Sequence, residues 1–288
     1  MVKMTSSEYQ AALKKIGVSY LSGVDTSAKL ALNGKHGVVT TCLYLLPWNQ
    51  SGYQVCPGGE HCKDFCLNGS GHNKGDILSR GVEGSRINRA RMKKTRLFFE
   101  DRELFMRVLI YEIERAMNYA KRREMEYSIR LNCTSDLSPE AFKIDGKNIL
   151  ELYPNVPIYD YTKVATRYRL VEKYPNYSLT FSYDGFNWDT CVDFLRRGIN
   201  VAVVFESKEK PISFRGYPII DMTKSDLRYK DPRNINGDGF IGFLEFHRPA
   251  SLYKGGRYER PNTPFVIRED DPDVLYAFKT PKSDELGE

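Results

Sequence analysis

Short apolar segments alternate with helical or connecting sequence along most of this chain. Six of these segments are rich in β-branched and aromatic residues and are typical of strands: residues 36–46, 127–133, 157–162, 177–183, 200–206 and 217–222. Because they are apolar throughout and do not alternate with polar residues, they favour parallel strands that are covered by helices on both faces. The sequence therefore predicts an α/β fold with a mostly parallel sheet.

Helical patterns lie between the predicted strands. Residues 85–123 contain no proline and place apolar side chains at helical spacing, which predicts one long helix or two in succession with a break near Glu100 and Asp101. Further helices are expected at 188–197 and after Ser138, which precedes a proline. We expect one domain over 1–288, with an N-terminal segment at 1–35, a loop at 47–75 and an acidic flexible tail at 271–288.

Composition excludes several classes of protein. Hydrophobic residues make up 41% of the 288 residues and aromatic residues 12%, as in ordinary globular proteins. No apolar run approaches the roughly 18 residues that a membrane span needs, and the polar N-terminus does not resemble a signal peptide. We therefore expect a protein of the host cell cytoplasm, where cysteines are normally reduced.

Three cysteines lie within eleven residues of a glycine-rich segment, with the spacing C-x5-C-x3-C. They are Cys56, Cys62 and Cys66, whereas the other three cysteines are scattered singly. A loop of this length needs something to organise it, and a group of thiolates is a typical metal ligand set. A [4Fe–4S] cluster is the preferred interpretation. The alternatives are a zinc ion with His72 as the fourth ligand, and three unrelated thiols.

Polar side chains gather where the predicted strands end. Because functional sites in parallel α/β proteins lie at the carboxyl ends of the strands, these residues are candidate ligand-binding groups: Asn132, Asp136, Lys163, Ser182 and Asp221. The cysteine segment also follows a strand, so it should open onto the same side of the sheet. Helix capping by Asp136 and simple solvation of Lys163 are the structural alternatives.

Basic residues are concentrated between 86 and 96, within a net charge of +6. They form either a solvated helix face or a surface for phosphate or nucleic acid, for which Arg89, Arg91 and Lys94 are the candidate contacts. The chain has no P-loop, no G-x-S-x-G and no H-E-x-x-H motif, so nucleotide hydrolysis by a P-loop and serine hydrolase chemistry are not supported.

A series of segments between about 37 and 250 resembles an uncharacterised family of bacteriophage proteins that share the cysteines. The segments are GVVTTCLYLLPWNQSGYQVCP, HCKDFCLNGSGH, RMKKTRLFFEDRELF, IRLNCTSD, YDYTK, LTFSYD, NVAVVF and GYPIIDMTKSDLRYKDP. More distantly, the layout is similar to radical SAM enzymes, in which three cluster cysteines follow the first strand of a six-stranded partial barrel. Their usual spacing is C-x3-C-x2-C, and Phe65 here precedes the last cysteine as an aromatic residue does there.

The resemblance to radical SAM enzymes implies a partial (β/α) barrel with mostly parallel strands, and the cysteines and the basic residues together leave two functional hypotheses. The first is a phage-encoded iron–sulfur protein, a radical-SAM-like enzyme of unknown substrate that binds S-adenosylmethionine or another small molecule at the open iron. The second is a nucleic-acid-binding module of phage replication in which the zinc or cluster is structural.

Overall fold

A mostly parallel sheet with helices packed against it organises this chain. The computed structural model describes residues 4–24, 28–233 and 236–277. Among these, the helices are α1 (Ser6–Ile16), α2 (Ala28–Lys35), α3 (Gly71–Gly84), α4 (Arg86–Glu100), α5 (Arg102–Arg122), α6 (Ile149–Leu152), α7 (Tyr168–Lys173) and α8 (Trp188–Arg196). The strands are β1 (Ser22–Val24), β2 (Val38–Leu43), β3 (Glu126–Arg130), β4 (Lys143–Ile144), β5 (Lys147–Asn148), β6 (Ile158–Thr162), β7 (Tyr177–Ser182), β8 (Val201–Phe205), β9 (Ser213–Phe214), β10 (Tyr217–Asp221), β11 (Ile241–Glu245), β12 (Tyr253–Lys254), β13 (Arg257–Tyr258), β14 (Val266–Ile267) and β15 (Val274–Leu275).

The main sheet follows the order β1-β2-β3-β6-β7-β8-β11-β10-β9-β15, and β14 pairs with the carboxyl-terminal half of β8. Neighbours from β2 through to β10 are parallel, whereas β1 pairs antiparallel with β2, and β9 with β10. This confirms the predicted α/β class and the mostly parallel sheet.

Two features of the sheet bear on the expected partial barrel. In the part of the chain that the structure describes, the two ends of the sheet do not pair with each other, so no closed barrel forms. The strands also leave their chain order at the end of the parallel series, because β11 lies between β8 and β10. In this order β10 pairs with β11, a strand that comes later in the chain. Such a long-range pairing cannot be read from the local sequence.

Helix α5 covers one face of the sheet, where it packs against β1, β2 and β3. Asp101 ends α4 and caps α5, since its carboxylate accepts the backbone N–H of Leu104 at 3.0 Å. Phe105, Leu109 and Ile113 recur every four residues and are fully buried in the main core. The break predicted near Glu100 and Asp101 is therefore confirmed.

The segment 223–231 covers the other face of β3, β6 and β7. Asp226 in this segment is buried, and its Oδ2 lies 2.6 Å from Nη1 of Arg130 on β3. The backbone N–H of Asp226 donates to Asn33 Oδ1 on α2 at 3.1 Å, and Lys230 pairs with Glu126 at 2.6 Å. The protein thus covers part of this face of the sheet with its own segment 223–231.

Three local predictions differ from the structure. Pro139–Ala141 is a single 3-10 turn that leads into the β4–β5 hairpin, where a helix was expected. Helix α3 begins at Gly71, inside the segment 47–75 that was predicted as a loop. Val274–Leu275, in the tail predicted to be flexible, pairs with β9; residues 278–288 of that tail lie outside the described residues.

Candidate functional site

The cysteine segment lies across the edge of the sheet where the parallel strands end. It follows β2, and its Val55 carbonyl accepts the N–H of Asp136, which follows β3, at 2.7 Å. Further along, His61 contacts Phe186 with ring centroids 4.4 Å apart, and Phe65 stacks on Phe265 at 5.9 Å. The segment is therefore fixed to loops from both halves of the parallel sheet.

Backbone groups surround the three thiols. The N–H of Trp48 donates to Cys56 Sγ at 3.3 Å, and the N–H of Asn68 donates to Cys66 Sγ at 3.5 Å. The thiol of Cys62 donates to the carbonyl of Gly59 at 3.5 Å. All three cysteines are half-buried and unpaired. The local turns thus direct two amides at sulfur atoms, as occurs around bound thiolates.

The thiols are electrostatic neighbours of one another. Burial is the main cause that raises the pKa of Cys56 to about 12; the nearby Cys66 and Cys62 contribute to this rise, and the N–H of Trp48 opposes it. Burial also raises the pKa of Cys66 to about 11, an effect that Cys62 strengthens and that the cations Arg91 and Lys163 oppose. The three side chains therefore share one partly desolvated environment with two cations beside it.

The three sulfurs do not converge on a single ion. Within residues 4–24, 28–233 and 236–277, no group of three or more His, Cys, Asp or Glu side chains is placed to hold a metal ion. A tetrahedral zinc site with bonds of about 2.3 Å would bring its sulfurs to within about 4 Å of each other. His72, the fourth ligand of the zinc alternative, is exposed on the first turn of α3.

Asn132 and Asp136 bind other parts of the protein. Both Asn132 N–H donors, backbone and side chain, reach Asp160 at 2.8 and 3.0 Å, and the Asn132 amide oxygen accepts the N–H of Leu137 at 2.8 Å. The Asp136 carboxylate accepts the N–H of Lys163 at 2.9 Å and forms an ion pair with Arg167 at 2.5 Å. These two candidates therefore position the loops that carry the site.

Lys163, Ser182 and Asp221 lie at three separate strand ends. Lys163 directly follows β6 and neighbours Cys66; its Nζ lies 5.6 Å from the Phe265 ring. Ser182 ends β7 and is half-buried. Asp221 ends β10, where its carboxylate accepts the N–H of Thr223 at 2.9 Å and lies 3.5 Å from Lys224 Nζ. Of the five strand-end candidates, Asp136 and Lys163 are electrostatic neighbours of a cysteine of the segment.

The three candidate nucleic-acid contacts have different environments. Arg89 is exposed on α4. Lys94 is 6% exposed, with Nζ 4.3 Å from the Tyr20 ring centroid, and burial lowers its pKa to about 8. Arg91 is half-buried over the Tyr44 ring at 4.8 Å and donates to Asn68 Oδ1. These side chains do not form one exposed basic surface.

A cavity of about 760 Å³ opens between the carboxyl ends of β8 and β11 and the start of α3. Its lining includes Gly71, Lys74, Glu206, Glu245, Phe246 and Arg248. Cys62 and Phe65 pack against the apolar cluster of Phe246, Phe265 and Val266, so the cysteine segment adjoins the cavity. The sequence shows Glu206 and Glu245 at strand ends, but the pairing of β8 with β11 is what brings them together.

These features describe an α/β protein with a three-cysteine segment across the carboxyl edge of its parallel sheet. The chain belongs to the gene product 88 family, whose model matches residues 19–245. No curated protein and no solved structure matches the chain. In the described residues no helix is long and apolar enough to cross a membrane.

Proposed function

We propose that this protein is an iron–sulfur protein in which Cys56, Cys62 and Cys66 hold a [4Fe–4S] cluster. The observation that supports this is the placement of three neighbouring thiols at the strand ends, with a cavity beside them. In such a cluster each cysteine binds a different iron, so the sulfurs stand farther apart than the ligands of one ion. The three thiols are close to one another but do not meet around one ion. This arrangement fits a [4Fe–4S] cluster better than a single zinc ion.

The packing of the segment fits a bound cluster. A side chain at Gly59 would come within 3.0 Å of Cys56 Cβ, and one at Gly58 within 2.8 Å of Lys163 Cβ. Both glycines therefore allow the backbone to approach closely beside the thiols. Arg91 and Lys163 would offset part of the negative charge that three thiolates bring to a partly buried site.

A cluster held by three cysteines leaves one iron without a protein ligand, and it supplies electron transfer to a molecule bound there. The adjoining cavity of about 760 Å³ is within the usual range for small-molecule sites. Its mixed lining of Lys74, Arg248, Glu206 and Glu245 suits a ligand that carries both charges. S-adenosylmethionine is such a molecule, and we propose a radical-SAM-like enzyme that uses it.

Anaerobic purification with metal analysis tests the cluster. We expect brown protein with about four irons per chain and absorption near 400 nm, characteristic of iron–sulfur charge transfer. Replacing Cys56, Cys62 or Cys66 by Ser should remove the colour, whereas the matched control Cys191→Ser, on α8, should retain it. Colourless protein with stoichiometric zinc would contradict the proposal.

A separate titration tests the ligand. Adding S-adenosylmethionine to the reduced, cluster-loaded protein should change its electron paramagnetic resonance spectrum, because the ligand binds at the open iron. An unchanged spectrum in protein that retains its iron would leave the cluster in place and exclude this ligand.

A further inference from the structure

An exposed basic stripe runs along α4 and continues onto the end of α1. Arg89, Lys93 and Arg96 are exposed and lie three and four residues apart, so they share one side of the helix. Lys93 Nζ donates to the carbonyl of Gly17 at 2.9 Å, and Gly17 is the C-cap of α1. The exposed Lys14 and Lys15 of the last turn of α1 therefore adjoin the stripe.

Within the described residues, the cations of this stripe are not paired with acidic side chains. None of the five cations forms an ion pair with any residue that the structure describes. Among the described residues, Lys93 and Arg96 donate to carbonyl oxygens, those of Gly17 and Ser51 respectively. By contrast Arg86, at the start of the same helix, pairs with Asp76 and is left out of the stripe.

We infer that this stripe, defined as Lys14, Lys15, Arg89, Lys93 and Arg96, binds the phosphodiester backbone of nucleic acid. Five cations that form no ion pair within the described residues complement a regular line of phosphates. Tyr20, three residues after Gly17, is 42% exposed and offers a ring for base stacking. A membrane surface fits less well, because α4 carries no exposed large apolar side chain among the described residues.

The charge count sets the expected salt dependence. If all five cations contact a single strand, the logarithm of the affinity should fall with the logarithm of salt with a slope of about −3.5. Between 50 and 200 mM salt this corresponds to a loss of roughly a hundredfold. Duplex DNA, which carries the same chemistry, should give a steeper slope, near −4.5.

Fluorescence anisotropy with a labelled 20-nucleotide single strand and a matched duplex tests the inference. The variant Lys14→Gln/Lys15→Gln/Arg89→Gln removes three cations that make no side-chain bond in the structure, so folding should be retained. Its single-strand slope should drop by about 2, to near −1.4. The control Lys147→Gln/Arg169→Gln/Arg196→Gln makes the same change in net charge on exposed sites of β5, α7 and α8, and should behave like the parent.

Three outcomes would overturn the inference: no binding of either nucleic acid at 50 mM salt, equal loss in the two triple variants, or binding only to vesicles that contain anionic lipid. The same measurement on Cys56→Ser separates this surface from the cysteine site. Binding should persist in that variant, since the stripe and the cysteine segment use different residues.

Discussion

The ion pair between Asp136 and Arg167 links the cysteine segment to the sheet, and breaking it should be costly. The two side chains are 12% and 5% exposed, and their charged atoms lie 2.5 Å apart. Arg167 also donates to the carbonyl oxygens of Asp136 and Leu137 at 2.9 and 3.1 Å. In Asp136→Asn the guanidinium would stay buried without its carboxylate.

Removing one partner of a buried pair typically costs about 3–5 kcal/mol. We expect Asp136→Asn to lower the free energy of unfolding by about that amount, measured by urea denaturation with an unchanged m value. The matched control is Glu140→Gln, which breaks the exposed pair with Lys173, whose side chains are 44% and 59% exposed. That change should cost about 1 kcal/mol or less.

The double variant Asp136→Asn/Arg167→Met distinguishes the physical cause. If the cost comes from an uncompensated buried charge, the double variant should be more stable than the sum of the two single changes predicts. A loss in Asp136→Asn no larger than that in Glu140→Gln, or strict additivity of the two changes, would refute the reasoning.

Two further predictions concern the loop glycines and the buried carboxylate beside the site. Gly58→Ala should force the cysteine segment away from Lys163 and lower the iron retained per chain, whereas Gly75→Ala, where an added Cβ meets nothing within 4 Å, should retain it; equal iron contents would contradict this. Burial raises the pKa of Asp160 to about 6 although the Asn132 N–H groups lower it, so its contribution to stability is complete below about pH 4 and is lost as the pH rises to about 6. Urea denaturation should show the parent losing up to roughly 3 kcal/mol over this interval relative to Asp160→Asn, and parallel pH profiles would exclude the effect.

The strands and long helices were predictable because their signals are local. The apolar segment 177–183 becomes β7 (Tyr177–Ser182), and the helical pattern over 85–123 becomes α4 and α5 with the break at Asp101. Runs of β-branched residues and helical periodicity depend on neighbours within a few positions. The position of β11 between β8 and β10 depends on contacts far apart in sequence, and for that reason the sequence does not reveal it.

The start of helix α3 was predicted as part of the loop 47–75 because its sequence has a low helix propensity. Four glycines in fourteen residues disfavour a helix, but a buried amide network holds its ends. Asn88 Oδ1 accepts from Asn68 at 3.0 Å and from Asn73 at 2.9 Å, and Ser85 Oγ donates to Asn73 Oδ1 at 2.7 Å. Satisfying these buried groups in one arrangement favours the helix that the sequence disfavours.

The number of basic residues in a helix does not predict which of them are exposed to solvent. Lys94 and Lys93 are identical in type and adjacent in sequence, yet one is 6% exposed and the other is exposed. The long apolar stem of a lysine can be buried where an aromatic ring receives its ammonium group, as Tyr20 does for Lys94. Which lysines reach solvent therefore depends on which side of the helix packs against the rest of the protein.

The placement of a ligand depends on which parts of the sheet the protein covers with its own chain. Asp226 and the buried Arg228 bring the segment 223–231 over β3, β6 and β7, where a barrel enzyme would place its substrate. The cavity at the ends of β8 and β11 is open, and Phe246 forms part of its wall. Because Cys62 packs against the apolar cluster that contains this phenylalanine, the wall of the cavity and the cysteine segment share one cluster. Phe246→Ala should therefore change ligand affinity and cluster spectra together, whereas a change in only one of them would separate the cavity from the cysteine site.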